Sequence, residues 1–166
     1  GVSFTYPDGQ PIVQDAGADF EAGRFHLVEG PSGAGKSTLL RLAVRFEEPN
    51  QGAVLFKGKD IRALSPATLR TKLAYVQQIP IMLPGTVRQN LLLPFTYPVN
   101  KDQHKPEDSV LETMLEDCEL KGVALDKEAL NCSVGQKQRL SIIRSLLLKP
   151  DWTLYPGPRW KQCWNG

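Results

Sequence analysis

Eight consecutive residues, Gly30 to Ser37, read GPSGAGKS and carry the most specific spacing of chemically active groups in the chain. A glycine, four residues of any type, then glycine, lysine and serine or threonine is a phosphate-binding pattern. Glycines let backbone N–H groups approach an anion without a Cβ in the way, and a helix that follows points its positive end at the same anion. The pattern therefore predicts a site for a nucleoside triphosphate.

Each residue type in this phosphate loop, Gly30 to Ser37, has an expected role. Lys36 is predicted to reach the terminal phosphates, and the hydroxyl of Ser37 to bind Mg²⁺. Thr38 is expected to add a contact. The other loop residues expected to bind the nucleotide are Gly30, Ser32, Gly33, Ala34 and Gly35. The alternative is a chance glycine-rich turn, which the flanking sequence disfavours.

The sequence on both sides of the loop has the pattern that such a loop requires. Arg24 to Glu29 is a short, largely apolar run that predicts a strand leading into the loop. Ser37 to Phe46 places leucines, an alanine and a phenylalanine at helical spacing. The motif is therefore expected between a strand and a helix.

Elsewhere the pattern alternates between predicted strands and helices. This alternation predicts an α/β fold with a P-loop NTPase core, a mostly parallel sheet, an N-terminal antiparallel β hairpin region and a helical insertion from about Pro80 to Leu148. The predicted strands are Val2 to Tyr6, continuing after the turn Pro7-Asp8-Gly9 through Ile12 and Val13, and then Asp19 to Glu21, Ala53 to Phe56 and Leu73 to Val76. The predicted helices are Pro66 to Lys72 with Ser65 as cap, a short one begun by Thr86 and Gln89, Glu107 to Leu120, and Gln136 to Leu148 begun by Ser133 and Gln136.

Composition and charge exclude several classes of partner. A chain of 166 residues, 41% of them hydrophobic, can bury the core of one domain. Its formal charge of +2 gives no basic stripe of the kind that binds nucleic acid. Cys118, Cys132 and Cys163 are odd in number and far apart, which favours a reducing cytoplasm over a disulfide framework or a zinc site. Apolar runs such as Leu91 to Leu93 are too short to span a bilayer.

A second motif, Cys132 to Arg139, reads CSVGQKQR, and with the phosphate loop it resembles the nucleotide-binding domains of ABC transporters. The family signature is usually LSGGQ; here Cys132 replaces the leucine and Val134 the first glycine. The resemblance implies that Ser133, Gly135 and Gln136 close over the terminal phosphate held by a second subunit. A homodimer of nucleotide-binding domains is therefore expected.

The same resemblance assigns two further site residues and one contact segment. Tyr6 lies where such domains place an aromatic ring that stacks on adenine. Gln78 matches a glutamine that contacts Mg²⁺ and the attacking water, with Gln77 as the alternative. Ile79 to Pro94 matches the segment that touches the membrane-spanning transporter subunit. The sequences PGTVRQNLLLPF and SVGQKQRLSIIRSLL together are similar to small bacterial ATPases that pair with a separate membrane protein, including metal or iron exporters.

The resemblance stops after Pro150. In the family an apolar strand follows and leads to an Asp-Glu pair, which holds Mg²⁺ and activates water, and a switch histidine comes later. In this register Pro156 and Gly157 occupy the Asp-Glu positions, and Trp152 to Gly166 contains no acidic residue. Asp151 is the remaining candidate, although it follows the proline that ends the helix. Because general-base assistance is worth about 10²–10⁴-fold, hydrolysis is expected to be severely impaired.

These observations predict one incomplete ABC-type nucleotide-binding domain over residues 1–166, with a helical subdomain at about 80–148 and an atypical tail at 151–166. The C-terminal strands of the family are expected to be missing, which leaves a gap or unpaired edges in the sheet. Truncation or a disrupted reading frame is the hypothesis that accounts for the tail.

The function expected from this resemblance is that of an ATP-binding transporter subunit, cytoplasmic and peripheral on the inner face of the cell membrane. A P-loop kinase shares the phosphate loop but is not expected to contain the CSVGQKQR motif. A soluble ABC-type switch protein of DNA repair or translation is disfavoured by the near-neutral charge. A non-functional fragment of a transporter ATPase is the third alternative.

Overall fold

Two units make up the chain, Gly1–Leu69 and Arg70–Gly166, and the computed structural model describes residues 1–7 and 9–156. Asp8 of the predicted turn and Gly157 of the predicted Asp-Glu position lie outside the described residues. The elements of the first unit, in chain order, are β1 (Val2–Thr5), β2 (Pro11–Ala16), α1 (Lys36–Ala43), β3 (Leu55–Phe56) and β4 (Lys59–Asp60), followed by a 3-10 turn at Ile61–Ala63. Helix α2 (Pro66–Lys72) contains the boundary between the units.

An antiparallel hairpin of β1 and β2 forms the core of the first unit, as the sequence predicts. Phe4 lies opposite Val13 in the pairing. Since successive residues of a strand face opposite sides, Val2 and Phe4 both turn inward, where they pack with Val13 and with Leu42 of α1. The helix that follows the phosphate loop is therefore anchored to the hairpin.

The second unit is mainly helical, in agreement with the predicted helical insertion. Buried leucines and isoleucines from three helices form its core, among them Leu91, Leu111, Leu140 and Ile143. Its elements are β5 (Leu73–Tyr75), α3 (Val87–Leu92), α4 (Asp108–Asp117), α5 (Val134–Leu146) and β6 (Trp152–Leu154), with 3-10 turns at Leu93–Thr96, Pro98–Asn100 and Ala129–Asn131.

The caps predicted from sequence are confirmed. Thr86 with Gln89 begins α3, and Ser133 with Gln136 begins α5, each pair exchanging two side-chain-to-backbone hydrogen bonds as a capping box. Because the capping serine lies just outside the helix, α5 begins at Val134, two residues earlier than predicted. In the described part of the chain, no helix is long and apolar enough to cross a membrane.

The α/β class is confirmed, but the sheet is less regular than predicted. Among the described residues there are three two-stranded sheets, and one of them, β5 with β6, is parallel. The strand Trp152–Leu154 was not predicted, and it shows that an ordered strand does follow Pro150.

Two predicted strands are wrong. Arg24 to Glu29 and Asp19 to Glu21 are both irregular in the structure, and Phe25 and Leu27 are 72% and 47% exposed. The physical reason is pairing: a strand needs a neighbour for its backbone N–H and C=O groups. Within residues 1–7 and 9–156, no strand pairs with either segment. An apolar pattern in the sequence does not reveal whether a segment has a neighbouring strand to pair with.

Candidate nucleotide-binding site

The phosphate loop ends at a helix start that only glycine can make. Gly35 caps α1 with φ +79°, in the left-handed region. A Cβ at this position would lie 2.8 Å from the carbonyl oxygen of Ile12 in β2. The first amides of α1 are thereby directed at the loop, which is the arrangement that binds anions at helix starts.

Lys36 folds back over the loop. Its ammonium donates to the carbonyl oxygens of Gly30 and Pro31, at 2.8 and 2.7 Å. A lysine ammonium has three N–H donors, so one is left for a phosphate oxygen. Gly33, at the middle of the loop, has open space where a Cβ would stand, and Ser32 and Ala34 are exposed beside it. These features fit a bound triphosphate.

The residues around the loop fit Mg²⁺ only in part. Ser37 is exposed, so its hydroxyl is accessible to an ion. Protein-bound Mg²⁺ usually takes one or two carboxylates together with substrate phosphates. Among the described residues, no group of three or more His, Cys, Asp or Glu side chains is placed to hold a metal. An ion at Ser37 would therefore depend on the phosphates of ATP for most of its ligands.

Tyr6 lies close to the helix that carries the loop. Its hydroxyl is 3.5 Å from Oγ1 of Thr38, and its ring meets that of Phe4 edge to face at 4.8 Å. Thr38 is 8% exposed, so its hydroxyl faces Tyr6 from a buried position. The structure thus brings Tyr6, Thr38 and the loop together in the first unit.

A cavity of about 240 Å³ lies beside the loop in the same unit. Apolar side chains form part of its lining, among them Ile12, Val28 and Leu39, together with the polar residues Gln14 and Glu29. Ala34, Gly35 and Lys36 also line it, so the phosphate loop forms one wall of the cavity.

The remaining predicted site residues lie in the second unit. Ser133 and Gln136 use their side chains to start α5: Ser133 Oγ accepts from the amide of Gln136 at 3.2 Å, and Gln136 Oε1 accepts from the amide of Ser133 at 3.0 Å. Gly135 is exposed, and so is Val134, at 74%. This helix start is therefore open to an approaching molecule.

The order of β5 and β6 decides between the candidate carboxylate positions. Leu73 pairs with Trp152 in parallel, so the carboxyl ends of both strands lie at one edge, followed by Gln78 after β5 and by Pro156 after β6. Asp151 precedes β6 and lies at the opposite end, about 10 Å away for three residues of strand. The edge that Gln78 shares thus carries Pro156, and Asp151 lies at the other end of β6.

Sequence reasoning missed three polar residues that organise the second unit. Gln138 donates to the backbone oxygen of Gln77 at 3.2 Å, and Arg144 donates to that of Ile81 at 3.1 Å. Asn90 binds both the amide and the carbonyl of Leu83. Gln138 lies between Lys137 and Arg139, so its neighbours in the sequence carry no signal of burial. The partners of Gln138 and Arg144 are 61 and 63 positions away, which local patterns do not reveal.

The comparisons with known proteins agree with this geometry. Residues 13–155 match the protein family described as ABC transporter. The chain is 34% identical over 139 residues to the probable iron export ATP-binding protein FetA of Escherichia coli K12, covering 84% of this chain and 60% of that protein. It is 32% identical over 158 residues to the carnitine transport ATP-binding protein OpuCA of Listeria monocytogenes, covering 95% of this chain and 39% of that protein.

Solved structures show the same fold. A bacterial Atm1-family ABC exporter with ATP bound matches with a TM-score of 0.80 and 27% identity, covering 93% of this chain and 28% of that one. The cbiO1 protein of Clostridium perfringens, part of the ABC transporter complex cbiONQ, matches with a TM-score of 0.75 and 24% identity, covering 93% and 62%. This chain spans 60% or less of the length of the two curated relatives. With a phosphate loop, a capped second motif and a family match over residues 13–155, the chain belongs to the ABC transporter family, as an ATP-binding domain of that family.

Proposed function

We propose that this chain binds ATP with Mg²⁺ as the nucleotide-binding subunit of an ABC transporter, and that it hydrolyses ATP poorly. The observation that carries the proposal is the loop itself: Gly35 in the left-handed region starts α1, and Lys36 is held over the loop with one donor left. In this proposal Ser37 contacts the ion, and Tyr6 stacks on the base.

Poor hydrolysis follows from the edge shared by β5 and β6. Gln78 follows β5 at the edge where a catalytic carboxylate would be needed, and Pro156 stands there instead. A missing general base costs about 10²–10⁴-fold in rate, and loss of a Mg²⁺-binding carboxylate adds to that. Binding without efficient turnover is the expected result.

The partner in this proposal is a membrane-spanning transporter subunit, which the chain meets through Ile79 to Pro94 on the inner face of the membrane. Three apolar side chains of this stretch stand exposed: Ile79, Ile81 and Leu83 are 78%, 53% and 45% accessible. A cluster of this kind is typical of a contact surface. The name of the FetA relative describes an ATP-binding protein of iron export, and a metal exporter is the subclass that we propose.

A second copy of the chain is the other proposed partner. Ser133, Gly135 and Gln136 lie at an exposed helix start, which can cover a phosphate held by another subunit. This contact would make the homodimer depend on ATP.

One experiment tests the central claim. ATP binding is measured calorimetrically with and without Mg²⁺, and phosphate release is measured on the same sample. We expect saturable binding with turnover near background. A sample that binds no ATP would refute the nucleotide-binding role, and robust turnover would refute our account of Pro156.

A further inference from the structure

Residues 77–83, here called the 77–83 segment, are mostly exposed. Ile79, Ile81 and Leu83 point outward, while Met82 is 8% exposed and belongs to the core of the second unit. The segment lies in the part of the chain that the proposed function assigns to the membrane subunit. Its conformation therefore decides whether the three apolar side chains form one surface.

Two hydrogen bonds attach this segment to α5. The side chain of Gln138 donates to the carbonyl of Gln77 at 3.2 Å, and that of Arg144 donates to the carbonyl of Ile81 at 3.1 Å. Six residues of helix rise by about 9 Å, and four residues of extended chain span about 13 Å. The two bonds thus fix the segment at two separated points along the helix.

Burying these two donors costs free energy, and their hydrogen bonds offset that cost. Gln138 is 7% exposed, and a buried amide without a partner is destabilising. Burial lowers the pKa of Arg144, while neighbouring Tyr97 acts in the opposite direction. Among the described residues Arg144 forms no ion pair, and its hydrogen bond goes to the 77–83 segment. A half-buried cation is thereby committed to a backbone oxygen.

The far end of the segment is fixed independently. Asn90 in α3 accepts a hydrogen bond from the amide of Leu83 at 2.8 Å and donates to its carbonyl at 2.9 Å. At the near end, the amide of Val76 donates to the carbonyl of Leu154 in β6 at 2.8 Å. The stretch between these two anchors, from Gln77 to Ile81, is held by the two bonds to α5.

We propose that Gln138 and Arg144 are positioning residues through which α5 holds the 77–83 segment in the conformation that presents its apolar side chains to the membrane subunit. This inference rests on the proposed function. The link runs through side chains that bind backbone oxygens, so it does not depend on the side chains of the segment.

The test is ¹⁵N relaxation of the full chain without nucleotide, read at the amides of Gln78, Ile79, Ile81 and Met82. In the double variant Gln138→Leu/Arg144→Met we expect order parameters to fall from about 0.85 to below about 0.6. In Arg144→Lys the order parameter of the Ile81 amide should stay near that of the unmodified chain, since an ammonium can donate to the same carbonyl. Gln138→Glu keeps the size of the side chain but loses its N–H donor, so it should lower the order parameter of the Gln78 amide. This variant replaces the double variant in the test if the double variant does not fold.

Arg139→Met is the matched control, because Arg139 lies on the same helix and donates to a different backbone oxygen, that of Glu119, at 2.9 Å. It should leave the four amides unchanged. Unchanged order parameters in both Gln138 and Arg144 variants, or an equal fall in Arg139→Met, would overturn the inference. An ATP titration of the same samples, followed at Gly33 and Lys36, tests the proposed function separately, since the relaxation data need no nucleotide.

Discussion

The ammonium of Lys36 lies 2.8 Å from the carbonyl oxygen of Gly30, so the lysine expected to meet the phosphates is also bound to its own loop. It shapes the loop and supplies charge to the ligand with the same group. Charged hydrogen bonds contribute about 1.5–3 kcal/mol each. Removing this ammonium therefore affects both the site and its ligand.

Lys36→Ala should abolish measurable ATP binding, with affinity lowered by at least about 100-fold for the loss of charged contacts. Isothermal titration calorimetry gives the affinity. Lys59→Ala, an exposed lysine of β4 in the same unit, is the control and should bind ATP as the unmodified chain does. Equal affinities for the Lys36 variant and this control would contradict the assignment.

Gly35→Ala should destabilise the first unit by at least about 2 kcal/mol, because alanine is strained at φ +79° and its Cβ would meet Ile12. Urea unfolding measures the loss. Gly135→Ala is the comparison: it lies in α5 with nothing within 4 Å of a Cβ, and it should leave stability unchanged or slightly raised. A neutral Gly35→Ala would show that the loop does not need this conformation.

Gly135→Asp should prevent ATP-dependent dimers while leaving the monomer folded. An acidic residue in the first turn of a helix is favourable, and open space surrounds Gly135, but the carboxylate would repel a triphosphate brought by a second copy. Light scattering after gel filtration with a non-hydrolysable ATP analogue measures the dimer. Gly135→Asn controls for size. Dimerisation by the aspartate variant would refute the proposed contact.

Asp151→Asn should leave Mg²⁺-dependent ATP affinity unchanged, since Asp151 precedes β6 at the end away from Gln78. Ser37→Ala should instead lower the part of the affinity that requires Mg²⁺. Titrations with and without Mg²⁺ separate the two effects. If Asp151→Asn removed the Mg²⁺ effect, the assignment of the two strand ends would be wrong.

Acidic pH should remove the stabilisation from one ion pair that links α3 to α4. The guanidinium of Arg88 binds the carboxylate of Asp108 with two hydrogen bonds, at 2.9 and 2.7 Å, and holds the pKa of that carboxyl below its usual value. Because the folded pKa is lowered, this stabilisation is present above about pH 3.9, the pKa of an unfolded aspartate, and is lost as the pH falls through the folded value.

Asp108→Asn should therefore lower the melting temperature at pH 7, by a small amount for a solvent-exposed pair. The difference from the unmodified chain should vanish once the pH falls below the lowered pKa of Asp108. Thermal unfolding across this pH range checks it, with Asp102→Asn as a surface control. A difference that persists at low pH would show that the carboxylate charge is not the cause.

Local chemistry could be predicted from the sequence, whereas pairing between distant segments could not. The loop, the helix after it and the capping boxes at Thr86 and Ser133 depend on residues within a few positions of one another, so their patterns are explicit. Arg24 to Glu29 has the composition of a strand, but a strand exists only where a neighbour pairs with it. Gln138 was missed for the same reason, since its carbonyl partner is 61 positions away.

The parallel pairing of β5 with β6 joins Leu73 to Trp152, about 80 positions apart, and this separation orders the events of folding. Closing so long a loop costs entropy that local contacts do not, so the helices between the two strands can form first. During synthesis, β5 cannot pair with β6 until the helices between the two strands have left the ribosome. The edge that carries Gln78 is therefore completed after those helices.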